Sequence, residues 1–288
     1  MPGPSPEGNS NVELTVDEFG TLSDLIYRRI GIRLEPKKIF FLSKRVENRL
    51  DFTGISSPAE YIRYVRFSDG AGEEFQSLVN LLTINETYFF RDFPQLQAFA
   101  EHCLADVVER KLAARDYTLR IWSAGCSTGE EPYTISIILR EMLDDVSAWD
   151  IINLASDIDN TALKKARAGI YEPRSVRDVP EQYLSKYFKK NGGETFALSD
   201  KIRNSVRFEH LNLADKPALR EKRGFDFIFC RNVLIYFDDV SRKQLVDHFY
   251  IALNKGGYVF LGSSESVGRI TTAFKLTRAG GYLIYCKE

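Results

Sequence analysis

The chain has 288 residues, 44% hydrophobic and 27% charged, a composition that excludes a largely disordered protein and a length that allows two domains. Lys and Arg (39) balance Asp and Glu (40) to a net charge of −1, which speaks against a protein that coats nucleic acid. No apolar run approaches the roughly 20 residues of a membrane span and no signal-peptide pattern opens the chain, so a cytosolic protein without direct membrane insertion is expected. Four scattered cysteines and three histidines form no ligand-spaced group, so neither a metal site nor a disulfide framework is expected.

Residues 1–12, rich in Pro, Gly, Ser and Asn, read as a flexible tail. Thr15-Val-Asp-Glu18 is a capping box opening a helix that Gly31 ends, with Val16, Phe19, Leu22, Leu25, Ile26 and Ile30 at helical spacing. Pro36 sits in the first turn of a second helix running to about Leu50. Ser57-Pro58-Ala59-Glu60 starts a third, and Glu73 to Ile84 reads as a fourth. Together these define a small helical domain over residues 13–84, followed by a short linker, 85–93.

From 94 onward the pattern changes. A helix to about Ala114 leads into alternating strands and helices: strands at Tyr117–Ala124, Ile151–Ser156, Val206–Asn212, Phe225–Cys230, Tyr258–Gly262 and Gly281–Cys286, and helices at Glu131–Leu143, from Thr161, and at Ser241–Leu253. This alternation predicts an α/β domain whose mostly parallel sheet is covered on both faces. The last two strands, with no strong helix between them, suggest an antiparallel hairpin at the sheet edge. The βα rhythm breaks over residues 169–205, where Pro173, Pro180 and Gly192-Gly193 mark a small insert with a short helix and a strand at Glu194–Leu198. A seven-stranded sheet ending in a hairpin is the usual layout of methyltransferases that use S-adenosylmethionine.

Five segments carry residues suited to chemistry. Gly125-Cys-Ser-Thr-Gly129-Glu130-Glu131 follows a strand and opens a helix, so its backbone can approach a ligand at the strand's carboxyl end, or it is simply a βα turn. The acidic pair disfavours a phosphate ligand: a carboxylate 4 Å from a phosphate repels it by about 4 kcal/mol per unit charge at an effective dielectric near 20. A cationic ligand free of phosphate suits it. Asp157, about 30 residues on at the end of the next strand, is placed to accept ribose hydroxyls, while Asp159 or Asn160 suits the helix cap. Asn212-Leu213 follows another strand end, where an amide can read an adenine edge or merely shape a turn. Arg231 and Asn232 interrupt the apolar run ending at Cys230, a costly arrangement unless they are paired, and Tyr236 follows them. Finally, Asn85-Glu-Thr87-Tyr-Phe-Phe-Arg91 mixes polar and aromatic residues without clean periodicity, unlike a plain linker or helix.

Taken together, Asn85-x-Thr87-x-Phe89-Phe90-Arg91, Ser127-Thr-Gly-Glu-Glu-Pro-Tyr133, Ser156-Asp-Ile-Asp159 and Cys230-Arg-Asn-Val-Leu-Ile-Tyr-Phe237 make the chain resemble the CheR family of chemotaxis receptor methyltransferases, from about Val12 to Cys286. The resemblance implies a protein-glutamate O-methyltransferase that moves a methyl group from S-adenosylmethionine to glutamates on the cytoplasmic methylation region of chemoreceptors, leaving S-adenosylhomocysteine. It implies cofactor contacts at Asn85, Thr87, Arg91, Gly125, Glu130, Glu131, Asp157, Asn212, Leu213, Arg231 and Asn232, and places Arg91 and Tyr236 nearest the transferred methyl. Family members that tether to a receptor's C-terminal pentapeptide have a longer loop than Lys189–Thr195 in the insert, so tethering is not expected. A nucleic-acid or small-molecule methyltransferase on the same sheet and a non-catalytic sensor of S-adenosylmethionine are the rival readings.

One charge feature stands apart. Between Arg28 and Arg49 lie eight basic and two acidic residues, a local excess of +6. On a continuous second helix Lys38, Arg45 and Arg49 fall within about 40° of one another, beside an apolar stripe of Ile39, Leu42, Val46 and Leu50. These three are expected to face outward, either as a solvated face or, as the resemblance implies, as a receptor-binding surface.

Overall fold

A computed structural model describes residues 12–266, 271 and 273–288. The tail, residues 1–12, lies outside the described residues but for Val12. The chain divides into two compact units with the boundary between Ile84 and Asn85.

The first unit holds four helices: α1 (Val16–Ile30), α2 (Ile39–Thr53), α3 (Pro58–Phe67) and α4 (Glu73–Leu82). The capping box at the start of α1 is complete: Thr15 Oγ1 accepts from Glu18 N, and a Glu18 carboxylate oxygen accepts from Thr15 N at 2.8 Å. Gly31 ends the helix in the left-handed region. Leu22, Ile26, Leu42, Val46, Tyr61, Val65, Leu78 and Val79 are buried at helical spacing and form the core of this unit.

The basic stretch departs from expectation in two ways. The chain makes a 3₁₀ turn over Pro36–Lys38 before α2 begins at Ile39, so Lys38 precedes the helix instead of sharing its face. Arg49 does not face outward. Its guanidinium makes a two-pronged bridge to Glu74 at 2.8 and 2.7 Å, both side chains nearly buried, and Tyr61 donates its hydroxyl to the same carboxylate at 2.8 Å. Arg45 is half-buried, with Nε donating to Leu81 O at 3.2 Å and its guanidinium 3.8 Å from the Phe41 ring centre. Only Lys38 of the three is fully exposed. A local charge excess cannot reveal a buried carboxylate 25 residues away.

The second unit opens with α5 (Phe93–Ala98), which passes through a π-helical segment, Phe99–Leu104, into α6 (Ala105–Ala113). Phe99 lies at the start of that segment and meets Phe227, Phe229 and Phe260 edge-on, with ring centres 5.1–5.6 Å apart. Then follow β1 (Thr118–Ala124), α7 (Glu130–Met142), β2 (Asp150–Asp157) and α8 (Asn160–Ala168). The insert comprises β3 (Ile170–Tyr171), α9 (Pro173–Val176), α10 (Glu181–Tyr187), β4 (Phe188–Lys190), β5 (Phe196–Leu198) and α11 (Asp200–Arg203), its strands forming a separate antiparallel sheet in the order β3-β5-β4. The chain returns through β6 (Val206–His210), α12 (Lys216–Arg220), β7 (Phe225–Cys230), α13 (Asp239–Ala252), β8 (Leu253–Leu261), β9 (Lys275–Ala279) and β10 (Tyr282–Cys286).

The main sheet has the order β6-β2-β1-β7-β8-β10-β9. Its first five strands are parallel and β10 is antiparallel to both neighbours. This is the seven-stranded methyltransferase sheet with a C-terminal hairpin, but the hairpin is β9–β10, with β10 inserted beside β8. The segment Gly281–Cys286 is therefore not the edge; Lys275–Ala279 is. That strand escapes a sequence reading because it is an edge strand with mostly exposed residues, without a buried alternation. Strand β7, by contrast, is buried at all six positions, as its apolar run predicts. The order reverses between β1 and β7, and open α/β sheets bind ligands in the crevice at such a switch point.

The Arg49–Glu74 bridge generates a test. Removing one partner strands a nearly buried charge, so Arg49→Ala should destabilise the protein by about 3 kcal/mol, whereas Lys38→Ala stays within about 0.5 kcal/mol. Denaturant midpoints followed by far-ultraviolet circular dichroism distinguish the two; equal small shifts would show the bridge to be energetically idle.

Candidate active site

The site is built from the carboxyl ends of β1, β2 and β7 and from the segment that precedes α5. The β1–α7 turn begins at Gly125, whose φ of +86° is left-handed and whose missing side chain is essential: a Cβ there would lie 2.4 Å from Val233 Cγ2. The turn is pinned to β2, because Gly125 N and Cys126 N both donate to Ser156 O at 2.8 and 2.9 Å. Gly129 ends it and α7 starts at Glu130.

Asp157 closes β2 with a buried carboxylate. Its two oxygens accept from Ser127 N at 2.7 Å and Asp159 N at 2.9 Å, so it shapes the β1–α7 turn as well as standing at the strand end. Asp159 caps α8 by accepting from Thr161 N and Ala162 N, and its second oxygen accepts from Asn85 Nδ2 at 2.7 Å. Asn85 Oδ1 in turn accepts from Ser127 Oγ at 3.0 Å. Asn85 thus joins the β1 and β2 strand ends. Thr87 is half-buried in the same segment.

The aromatic residues of that segment anchor it. Phe89 N donates to Ser175 O, and its ring meets Tyr171 and Phe188 of the insert edge-on at 4.8 and 5.0 Å. Phe90 N donates to Thr134 Oγ1 of α7 while its ring stacks on Tyr183. This explains the mixed pattern of the sequence: aromatic residues hold the segment to α7 and the insert, and Asn85 bonds the strand ends. Arg91 is half-buried and donates to Glu86 O at 2.7 Å.

At the end of β7 lies Arg231, with 4% of its side chain exposed. Its guanidinium donates to Asp92 Oδ2 and Arg91 O, both at 2.7 Å, and to Glu131 Oε2 at 3.3 Å. Its side chain, expected as a cofactor contact, is spent on the protein. Among the expected acidic pair, Glu131 points at Arg231, whereas Glu130 accepts from Thr128 Oγ1 at 2.7 Å and lies near Ser175 and Arg174 of the insert. Asn232 takes a left-handed φ of +60° and its N donates to Glu265 at 2.8 Å. Tyr236 follows in a 3₁₀ turn, Leu234–Tyr236, half-buried and within electrostatic reach of Arg91, Glu86 and Glu265. Asn212 Oδ1 accepts from Ala214 N at 2.9 Å, a side-chain turn, and Leu213 packs against the apolar cluster that includes Leu219 and Phe237.

Four residues of consequence carried no sequence signal as site residues: Asp92, Ser127, Asp159 in its bond to Asn85, and Glu265. A positive φ at a non-glycine residue would have found two of them. Phe90, Asp92, Ser127 and Asn232 are all left-handed, and among the described residues only Arg115 shares this away from the site. Such strain gathers where surroundings over-determine the backbone, commonly at functional sites.

The electrostatics favour a cation. Burial pushes the Asp157 and Glu131 carboxyls up, Glu131 in spite of Arg231, and Arg91 acts on Glu131 only as a minor opposing charge. These acids are imperfectly compensated, and a ligand bringing positive charge without phosphate relieves them. S-adenosylmethionine, with an ammonium and a sulfonium, fits that donor set. Among the described residues no group of three or more His, Cys, Asp or Glu is placed to hold a metal ion, and no helix is long and apolar enough to cross a membrane.

Sheet order and acidic strand ends together define a methyltransferase dependent on S-adenosylmethionine. Residues 17–83 match the all-alpha domain, and residues 85–282 the S-adenosylmethionine binding domain, of the CheR methyltransferases. The chain is 42% identical over 269 residues to chemotaxis protein methyltransferase 2 of Vibrio cholerae serotype O1, covering 93% of this chain and 92% of that protein. It is 34% identical to the chemotaxis protein methyltransferase of Borreliella burgdorferi (90% and 91% covered) and 34% to that of Escherichia coli K12 (90% and 87%). The chain belongs to the CheR methyltransferase family.

Two outcomes follow for the cofactor. Asp157→Ala should weaken S-adenosylhomocysteine by roughly 1.5–3 kcal/mol, the worth of a hydrogen bond to a charged acceptor, and unchanged affinity by calorimetry in a folded variant would remove Asp157 from the ligand. Because burial raises the free-state pKa of Asp157 and Glu131 and a cationic ligand favours their ionised forms, binding should expel protons in the pH range where these carboxyls titrate. Affinity then falls as pH drops through the raised values, above the ordinary carboxylate range near about 4. In the ligand-free chain the same shift gives stability that is full below that range and lost as pH rises. Calorimetry in buffers of different ionisation enthalpy reads the proton count; proton uptake would contradict the assignment.

Proposed function

We propose that the chain transfers the methyl group of S-adenosylmethionine to glutamate side chains in the cytoplasmic methylation region of chemoreceptors, forming methyl esters in chemotactic adaptation. The observation that carries the reading is the bond from Arg231 at the end of β7 to Arg91 O at 2.7 Å, which ties the segment of Arg91 to the strand end from which Tyr236 follows. The relatives named as chemotaxis protein methyltransferases support placing the activity in chemotaxis.

The bound cofactor supplies an electrophilic methyl on sulfur. A substrate glutamate, with a reference pKa near about 4.3, is ionised at neutral pH and needs no general base. The work left to the chain is positioning and partial desolvation. Asn85, Thr87, Gly125, Glu131 and Asp157 would hold the cofactor, with Asn212 and Leu213 at its adenine end. Arg91 orients the incoming carboxylate by charge-assisted hydrogen bonds. Burial holds the Tyr236 hydroxyl protonated, Arg91 opposing this and Glu265 adding to it, so Tyr236 acts as a hydrogen-bond donor.

For recognition, the exposed surface of α2 and the turn before it supports docking on an acidic helical receptor. Lys38 and Arg45 bracket the Phe41 ring at 5.6 and 3.8 Å, and the same helix exposes Phe40 (70%) and Phe52 (79%). Exposed aromatics beside a net basic excess mark a partner surface more than a solvated face. Arg49 plays no direct part in this reading. The tight β4–β5 hairpin, closed by Asn191 N donating to Thr195 O at 2.9 Å, supports a chain that does not tether a receptor pentapeptide.

Transfer of a tritiated methyl group to receptor-containing membranes, compared with RNA and with no acceptor, tests the proposal. Label on the receptor should be released as volatile methanol by alkali, the mark of an ester. Arg91→Ala should lower turnover at saturating cofactor by about 10–100-fold, the kinetic equivalent of a charge-assisted hydrogen bond. Tyr236→Phe should fall by about tenfold. Lys38→Glu with Arg45→Glu should slow receptor methylation mainly at low salt and leave cofactor affinity alone. Label stable to alkali, or label on RNA, would sink the reading.

A further inference from the structure

The transfer chemistry leaves one acidic residue beside the site unexplained. Glu265 lies just past β8, and its Oε2 accepts two backbone amides, Asn232 N at 2.8 Å and Gly262 N at 2.7 Å. Its own N donates to Gly262 O at 2.9 Å, so the loop closes on itself around the carboxylate. There is no slack here: a Cβ on Gly262 would sit 2.8 Å from Glu265 Oε2, 2.9 Å from Asn232 N and 3.0 Å from Asn232 Nδ2. The second oxygen, Oε1, is buried with no hydrogen-bond partner among the described residues. Burying a carboxylate is costly, and the two amide bonds to Oε2 are what offset that cost here.

What this carboxylate fixes is the turn that leads to Tyr236. Asn232 is left-handed at φ +60°, a conformation that asparagine adopts more readily than most non-glycine residues. Glu265 holds it, through charge-assisted bonds to the Asn232 and Gly262 amides. Four residues later, Tyr236 N donates to Val233 O at 3.2 Å in the 3₁₀ turn that sets the phenol. The phenol also feels the Glu265 charge directly, after burial and Arg91.

We propose that Glu265 is a positioning residue for methyl transfer: by clamping the ends of β7 and β8 through the Asn232 and Gly262 amides, it fixes the left-handed turn that aims the Tyr236 hydroxyl. The proposal rests on the reading of Tyr236 as a residue beside the transferred methyl.

The experiment measures receptor methylation at saturating cofactor together with S-adenosylhomocysteine affinity by calorimetry. Glu265→Ala should lower kcat by about tenfold or more, since misplacement of an orienting group by about 1 Å is worth up to about a hundredfold. Product affinity should stay within about threefold, because the strand ends that hold the cofactor keep their own bonds. Glu265→Gln retains an oxygen that accepts both amides and should recover at least about a third of the wild-type rate. In a Tyr236→Phe background, Glu265→Ala should cost less than about threefold, because both changes act on the same hydroxyl. Should Glu265→Ala fail to fold, Glu265→Asp, shorter by one methylene, is read for the same split. Wild-type kcat in the variant, affinity falling in step with kcat, or an undiminished loss in the Tyr236→Phe background would overturn the proposal. Wild-type turnover in Tyr236→Phe alone would overturn the role of Tyr236 and with it this proposal, while alkali-labile label on the receptor would still uphold the methylation reading.

Discussion

A buried guanidinium holds the site together. From the end of β7, Arg231 reaches two segments far away in sequence: the carboxylate of Asp92 and the carbonyl of Arg91 before the sheet, and Glu131 at the start of α7. Removing an arginine from water costs several kcal/mol. Two carboxylates and a carbonyl offset part of that, while Nε stays buried without a hydrogen-bond partner among the described residues, and the pairing demands that the segment before α5, the start of α7 and the end of β7 be in place at once. The position of Arg91, of the β1–α7 turn and of the β7 end thus becomes one problem with one solution. A lysine is a poor substitute, since its compact ammonium lacks the rigid, spread fork that reaches separate segments in fixed directions.

Bonds between segments also hold the strain around the site. Phe90, Asp92, Ser127 and Asn232 each adopt a backbone that costs a non-glycine residue free energy, and each is held by a bond to another segment. Phe90 is tied to Thr134, Asp92 to Arg231, Ser127 to Asp157, and Asn232 to Glu265. The polar atoms at the strand ends are thereby placed without waiting for ligand. A pre-set site suits a reaction whose catalysis is chiefly alignment of two ready partners.

Much of this was legible in the sequence, for physical reasons. Period-2 and period-3.6 patterns separate strands from helices, and the apolar run Phe225–Cys230 has no reading other than a buried strand. The capping box at Thr15 is a local chemical pattern that folds locally. Polar residues breaking an apolar run announced that Arg231 must be paired, though not with what. What stayed hidden depends on distance in sequence. The acceptors of Arg231 lie 100 and 139 residues away, and the partner of Arg49 lies 25 away. The edge strand Lys275–Ala279 buries too little to leave a pattern, and the π-helical segment near Phe99 differs from an α-helix in backbone winding alone. Asp92 and Glu265 are single acids whose meaning comes only from the amides and guanidinium they meet in space.

The pairing of Arg231 with Asp92 is most directly tested by a double-mutant cycle, Arg231→Met and Asp92→Asn, read on S-adenosylhomocysteine affinity. If the guanidinium holds the segment before α5 against the end of β7, the two changes are coupled by at least about 1 kcal/mol, the double variant losing clearly less than the sum of the singles. Additive losses would show that the two residues act independently and that the site is held by something other than this cation.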